Sequence, residues 1–257
     1  MISISDCIII GDGMVGKASR YALGIDNYTN ERAKEFTKYV YDYKIFILCL
    51  PTPTKDGKQD ISAIEEWFDV IQEKNPSAKV IIRSTVLPGT TDRLSAEYKE
   101  LTVAHIPEFL SENTAIEDEK YPEFIVIGCR DIIFKRELQN FFMARLILPE
   151  EKFILTDPTT AELIKYSMNS YFALKVVMAN QLWDVARETG ADYSKIKKAL
   201  EMHKWGSVNG WDVWHGGFRG FAGKCLPKDL YAFTTKFKIP LLDRVREINK
   251  KLVSTTI

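Results

Sequence analysis

Apolar and polar positions follow two regimes along the chain. In the first half, short and mostly apolar runs recur at residues 6–10, 44–50, 79–82, 101–105 and 124–128. Continuous apolar runs of this length read as strands buried on both faces. Between them, residues 17–23 and 61–72 carry the spacing of an amphipathic helix. Strands alternating with helices predict a parallel sheet wound with helices on both sides. One part is compressed: residues 27–43 are mostly polar and aromatic, where a complete half-sheet would fit another strand and helix. The run at 124–128 is expected to be the last strand.

The second half is helical. Residues 160–190 hold the longest helical pattern, with Leu163, Ile164, Tyr166, Phe172, Ala173, Val176, Val177, Ala179, Leu182, Trp183 and Ala186 apolar. That set is wider than one core stripe, so the helix is expected to bury two faces, against a second subunit or against both domains of its own chain. Asp157-Pro158-Thr159-Thr160 supplies its capping residues and Gly190 its end. A further helix is expected over 241–252. The domains predicted are 1–155, an α/β sheet domain, and 156–257, a helical domain built on the long central helix.

Composition narrows the classes. Lysine plus arginine equal aspartate plus glutamate at 35 each, so no global basic field exists to hold nucleic acid or an anionic membrane. No apolar run reaches the ~18–20 residues of a membrane span, and the N-terminus lacks the order of a signal peptide. Cys7, Cys49, Cys129 and Cys225 are far apart, which argues against zinc and against a disulfide framework. A reducing, cytoplasmic setting and no metal are expected.

Candidate chemistry begins directly after the first strand. Gly11-Asp12-Gly13-Met14-Val15-Gly16 is GxGxxG in strand–turn–helix context. The pattern allows a tight turn, close approach of a pyrophosphate and phosphate binding at a helix N-terminus. The domain is therefore read as Rossmann-like and NAD-binding, with Asp26 assigned to the ribose hydroxyl, which favours NAD over its phosphorylated form. Ligands of such sheets lie beyond the carboxyl ends of the strands. Three turns follow strands there: Pro51-Thr52-Pro53-Thr54, Ser84-Thr85-Val86-Leu87-Pro88-Gly89, and Pro107-Glu108-Phe109-Leu110-Ser111-Glu112. If the last is helical, Glu108 and Glu112 share one face. His105 reads as structural.

On the long helix, Lys165 and Asn169 are four apart and hence on one face. The loop Gly216-Gly217-Phe218-Arg219-Gly220-Phe221-Ala222-Gly223-Lys224-Cys225-Leu226-Pro227-Lys228-Asp229 sets a cysteine among glycines and two flanking lysines. Positive charge favours the thiolate, the nucleophilic form. From residue types alone, a turn before a helix with an inert cysteine is an equal reading.

Taken together, these strings resemble the UDP-glucose/GDP-mannose dehydrogenase family. Thr52-Pro53-Thr54, the Ser-Thr-Val-x-Pro-Gly turn, Pro-Glu-Phe-Leu-x-Glu, Ala161-Glu162-Leu163-Ile164-Lys165-Tyr166-Ser167-Met168-Asn169 and Cys225-Leu226-Pro227-Lys228-Asp229 match its motifs in order. Asn180 and Gly190-Ala191-Asp192 continue the likeness. Departures are the early Asp26, Ala222 in place of a glycine, and the expected absence of the family's third, nucleotide-gripping domain.

The resemblance implies NAD-dependent oxidation of a nucleotide sugar, foremost UDP-glucose to UDP-glucuronate, by two hydride transfers. Cys225 would capture the aldehyde and carry a thioester. Lys165 and Asn169 would stabilise the oxyanion. Asp229 and Thr85 would organise a water, Glu108 would assist hydrolysis, and Glu112 would stand with them. NAD would contact Gly11, Gly13, Met14, Val15, Gly16, Asp26, Pro51, Thr52, Thr54 and Ser84. Phe109, Leu110, Phe221 and Gly223 would line the sugar, with the 217–223 loop over it. A homodimer on the 160–190 helix is expected. Two other readings stay open: a non-catalytic binding protein that kept the fold, and a single-step hydroxyacid-type dehydrogenase using Lys165 as base and Cys225 only structurally.

Overall fold

The computed structural model describes residues 2–203, 211–215, 217–223 and 225–254. Gly216 and Lys224 of the cysteine loop therefore lie outside the described residues. Two compact units are present: Met1–Pro53 with Gln59–Lys165, and Thr54–Lys58 with Tyr166–Ile257.

In chain order the elements are β1 (Cys7–Ile10), α1 (Met14–Leu23), β2 (Tyr28–Thr29), α2 (Ala33–Phe36), β3 (Ile45–Leu48), β4 (Thr54–Lys55), β5 (Lys58–Gln59), α3 (Ser62–Lys74), β6 (Lys79–Ile82), α4 (Thr90–Glu97), β7 (Thr102–His105), α5 (Ala115–Lys120), β8 (Ile125–Cys129), α6 (Ile132–Leu146) and β9 (Phe153–Thr156). Then come α7 (Pro158–Thr189), α8 (Tyr193–Met202), β10 (Trp214–His215), β11 (Phe218–Arg219), α9 (Leu226–Phe237) and α10 (Pro240–Ser254).

The first unit is a seven-stranded sheet in the order β2-β1-β3-β6-β7-β8-β9. Neighbours run parallel except β7 and β8, which pair antiparallel with His105 opposite Gly128. Side chains of a strand point alternately to the two faces, and the unit has two cores to match. Ile8, Ile10, Phe46, Leu48, Val80 and Ile82 pack with Phe36, Trp67, Phe68 and Leu94. Cys7, Ile9, Ile45, Ile47 and Ile81 pack with Leu23, Phe134 and Phe142 on the other side. This is why the strands read as continuous apolar runs rather than alternating ones.

Three details differ from the sequence expectation, the first being that the sheet is mixed, because β8 runs antiparallel to β7. The compressed segment does form a strand, the two-residue β2 beside β1. Residues 124–128 are not the last strand, because β9 pairs with β8 beyond them. As an edge strand, β9 buries little, and Ile154 stays exposed, so its pattern carried no strong signal.

In the second unit, Ala173, Val176 and Val177 of α7 form a core with Phe221, Leu230 of α9 and Val245 of α10. Tyr166 is fully buried and stacks on Phe233 with ring centroids 4.8 Å apart. The 217–223 segment is pinned at two points. Arg219 donates to Asp184 (2.7 Å) and to the Asn180 carbonyl (3.1 Å). The Asn249 amide bonds both the N–H and the carbonyl of Phe221, at 2.7 and 2.8 Å. Gly220 is required there: its φ is +82°, and a Cβ would lie 2.4 Å from Asn249 Oδ1.

Candidate active site

The glycine turn has the backbone its pattern demands. Gly11 adopts φ +107°, and a Cβ on it would lie 2.3 Å from the Cys49 carbonyl oxygen. A Cβ on Gly16 would lie 1.8 Å from the Gly11 oxygen, so glycine lets α1 pack against its own turn. Gly13, the N-cap of α1, has nothing within 4 Å of where a Cβ would be. That space, at a helix N-terminus without a side-chain cap, fits a pyrophosphate. Met14 and Val15 form the first turn of α1.

The structure does not bring Asp26 to this turn. Asp26 precedes β2, at that strand's amino end, whereas the glycine turn lies beyond the carboxyl end of the parallel β1. Glu31 is two residues past the carboxyl end of β2, in a turn where its N–H donates to Thr29 Oγ1 at 3.0 Å. Glu31 is also the acid twenty residues after Gly11, the spacing that the ribose interaction asks for. With β2 only two residues long, no apolar run marks Glu31 as the acid that follows a strand.

The turns after β3 and β6 are laced together. Thr52 is buried and its Oγ1 donates to the Thr85 carbonyl at 2.8 Å. Gln59 donates to the same carbonyl at 2.9 Å and accepts from Leu87 N–H at 3.0 Å. The Ser84 hydroxyl donates to the Leu50 carbonyl (2.7 Å) and accepts from Leu50 N–H (2.8 Å). Ser84 and Thr52 thus act as staples between strand ends. Pro51 is exposed, Thr54 is half-buried in β4, and Thr85 is half-buried with its carbonyl doubly bonded.

After β7 the chain is not helical, so Glu108 and Glu112 share no helix face. Glu108 is buried, whereas Glu112 is exposed. Glu108 pairs with Lys165 at 2.9 Å, both side chains 7% exposed, and accepts from Leu110 N–H at 2.8 Å. Burial pushes the Glu108 carboxyl up, but Lys165 and the Leu110 N–H outweigh it and hold the group below its ordinary value. Phe109 packs on Phe124 with centroids 4.9 Å apart and lies 5.5 Å from Lys165 Nζ. His105 is fully buried, and burial with the nearby Arg83 charge pulls its pKa down to about 3, so it is neutral as a core residue.

The second unit carries its own cluster. Asn169 donates to Asp229 Oδ2 at 2.8 Å, and Lys228 pairs with Asp229 Oδ1 at 2.5 Å. Asp229 is 1% exposed in the first turn of α9. Cys225 is the N-cap of the same helix and is exposed, while Cys7, Cys49 and Cys129 are buried. Burial raises the Cys7 and Cys49 thiols to about 12 and Cys129 to about 11, which keeps them inert. The Phe221 side chain lies in the core rather than at a surface, and Gly223 is exposed with φ +82°.

Residues 25–144 match the model of the UDP-glucose/GDP-mannose dehydrogenase family, NAD binding domain, and residues 159–251 match that of the family's central domain. The chain belongs to this family. It is 30% identical over 244 residues to UDP-glucose 6-dehydrogenase of Rickettsia prowazekii (strain Madrid E), covering 90% of this chain and 54% of that one. It is 32% identical over 213 residues to GDP-mannose 6-dehydrogenase of Azotobacter vinelandii, covering 77% of this chain and 48% of the other. The chain spans about half the length of the curated relatives it matches. In fold it is similar to a UDP-glucose dehydrogenase from the hyperthermophilic archaeon Pyrobaculum islandicum, with TM-score 0.80, 23% identity, and coverage of 98% of this chain and 70% of that one. The family's NAD-binding domain and the dehydrogenase relatives point to NAD as the cofactor. Among the described residues, no helix is long and apolar enough to cross a membrane.

Proposed function

We propose that the chain is the NAD-binding and central part of a nucleotide-sugar 6-dehydrogenase, with UDP-glucose as the foremost substrate and GDP-mannose as the comparator. The observation that carries this reading is the contrast in burial. Lys165, Glu108, Asn169 and Asp229 are buried polar groups paired with one another in two sets, while Cys225 is the one exposed cysteine. Surface charge gains nothing from such burial, and buried ion pairs are costly for stability alone.

Gly11, Gly13 and Gly16 with the first N–H groups of α1 would hold the NAD pyrophosphate, and Glu31 would hold the ribose. When bound, NAD supplies the hydride acceptor for each oxidation. In this reading the Cys225 sulfur adds to the substrate aldehyde, the thiol proton ends on the former carbonyl oxygen, and a thiohemiacetal results. Oxidation of that adduct leaves a thioester on Cys225. Water then adds to the thioester carbonyl, the C–S bond breaks, and the carboxylate leaves with the thiol restored. Lys165 and Asn169 carry the charge that develops on the substrate oxygen. Asp229 and Thr85 are assigned to the attacking water, and Glu108 takes a proton during hydrolysis. The long helix α7 supports a homodimer: Leu163, Tyr171, Met178 and Val185 are exposed by 44%, 44%, 49% and 56%. At 3.6 residues per turn they fall within an arc of about 80°.

The test is NADH formation with UDP-glucose and GDP-mannose, read together with the acid produced. Two NADH per sugar acid supports the thioester route. One NADH per turnover supports the hydroxyacid-type reading, and no turnover with either sugar supports a binding protein.

A further inference from the structure

We propose that Glu162, outside every role given above, is a positioning residue that ties the turn carrying Thr85 to the helix carrying Lys165. The proposal rests on the dehydrogenase reading for its kinetic consequence, and on geometry alone for the clamp itself.

Glu162 lies in the opening turns of α7 and is 0% exposed. Its Oε2 accepts from Gly89 N–H at 2.6 Å and its Oε1 from Thr91 N–H at 2.7 Å. Gly89 is the N-cap of α4 and has φ +93°, and no side-chain cap bond comes from its own position. Helix N-termini leave N–H groups unsatisfied, a deficit that a Ser or Asp at the N-cap normally meets. Here a carboxylate from another helix meets it, and its charge also suits the helix dipole.

The remaining contacts explain why this matters to Thr85. The 84–89 turn is held from one side by Thr52 and Gln59 through the Thr85 carbonyl and the Leu87 N–H. Glu162 holds its far end. Close packing of α7 at this point depends on Gly128 of β8, where a Cβ would lie 2.6 Å from the Ala161 Cβ and 2.8 Å from the Pro158 Cα. With the helix seated so closely, Glu162 fixes the turn, and Lys165, three residues on, pairs with Glu108. One stretch of helix thus sets the position of both a hydroxyl-bearing turn and an oxyanion-stabilising cation.

The clamp is sensitive to protonation. Burial pushes the Glu162 carboxyl up to about 6, against the bonds from Thr91 and Gly89, and Asp92 adds to the rise. Asp92 is the acid facing it from α4, and is itself held by Arg130 and Thr159. A protonated carboxyl keeps only one good acceptor for the two N–H groups.

The experiment has two arms. In wild-type protein, the Gly89 and Thr91 amide resonances should titrate together with a midpoint near 6. Amides that do not move between pH 5 and 7.5 overturn the clamp as a titrating device. In the second arm, Glu162→Gln presents one acceptor and one clashing donor. We expect a roughly ten-fold lower kcat with UDP-glucose, a KM for NAD within two-fold of wild type, and an acid limb of kcat displaced from pH 6. Glu162→Asp, which keeps the charge, should recover part of the rate and the limb. A folded Glu162→Gln protein with wild-type kcat and an unmoved pH profile overturns the positioning role. If wild type turns over no nucleotide sugar, the dehydrogenase reading and the kinetic role fall together, while the amide titration still decides the clamp.

Discussion

Replacing Lys165 with methionine tests the buried pair that the site reading depends on. Lys165 Nζ and Glu108 Oε1 are 2.9 Å apart and nearly inaccessible. At an effective dielectric of about 20, two unit charges at that distance attract by roughly 6 kcal/mol. Desolvation offsets much of this in the intact protein, so the pair itself adds little stability. Removing one partner is different: it leaves the Glu108 carboxylate buried with the Leu110 N–H as a remaining donor. Breaking a buried pair this way costs about 3–5 kcal/mol. For a chain of this size that is a fall in Tm of about 6–20 °C. The pH dependence carries a sign. In wild type, the folded-state pKa of Glu108 is depressed, so its stabilising contribution is present above the ordinary carboxylate value and is lost as pH falls through the folded one. In Lys165→Met the burial effect loses its main opposition, with only the Leu110 N–H and the Arg83 charge still against it, and the folded pKa rises above the unfolded value. The penalty is then largest at pH 8 and shrinks toward pH 5 as Glu108 takes a proton. Urea unfolding at both pH values measures it, and Lys165→Met/Glu108→Gln should recover about 2 kcal/mol. A single-variant cost under about 1 kcal/mol, or the same cost at both pH values, would refute the argument.

Four further outcomes follow from the site and the long helix. Cys225→Ser should keep the fold and NAD binding but lose net acid formation, since a hydroxyl without a dedicated base is a far weaker nucleophile; wild-type rates would end the thioester route. Lys165 variants should slow turnover by roughly 10²–10³, whereas the hydroxyacid-type reading makes Lys165 essential and Cys225 replaceable. Glu31→Ala should weaken NAD binding about ten-fold or more by calorimetry, as the loss of a charged hydrogen bond implies, and Asp26→Ala should not; the reverse order would restore Asp26 as the ribose ligand. Sedimentation should show a dimer that Met178→Glu disrupts, and a monomer at high micromolar concentration would rule out the α7 interface.

The fold class was legible in the chain because its cause is local and repeated. Five apolar runs with amphipathic spacers can be buried only as a sheet covered on both faces, and the two cores on opposite sides of β1, β3 and β6 are that pattern in three dimensions. The glycine turn was legible for a similar reason, since Gly11 and Gly16 are required by backbone geometry that no larger residue satisfies. Lys165, Asn169, Glu108, Cys225 and Asp229 are singled out by their motif strings, but which residues touch is not in those strings. Glu108 and Glu112 looked alike at a spacing of four, and only the non-helical course after β7 buried one and exposed the other. Glu31, Gln59 and Glu162 take their places through the register of a two-residue strand, one side-chain amide and one helix cap supplied from a distant element. Such contacts join residues up to 73 positions apart, and no local periodicity encodes them. Hydrophobic pattern determines which elements form, because burial acts on each segment separately. The pairing of charges, staples and caps is decided only when those elements pack.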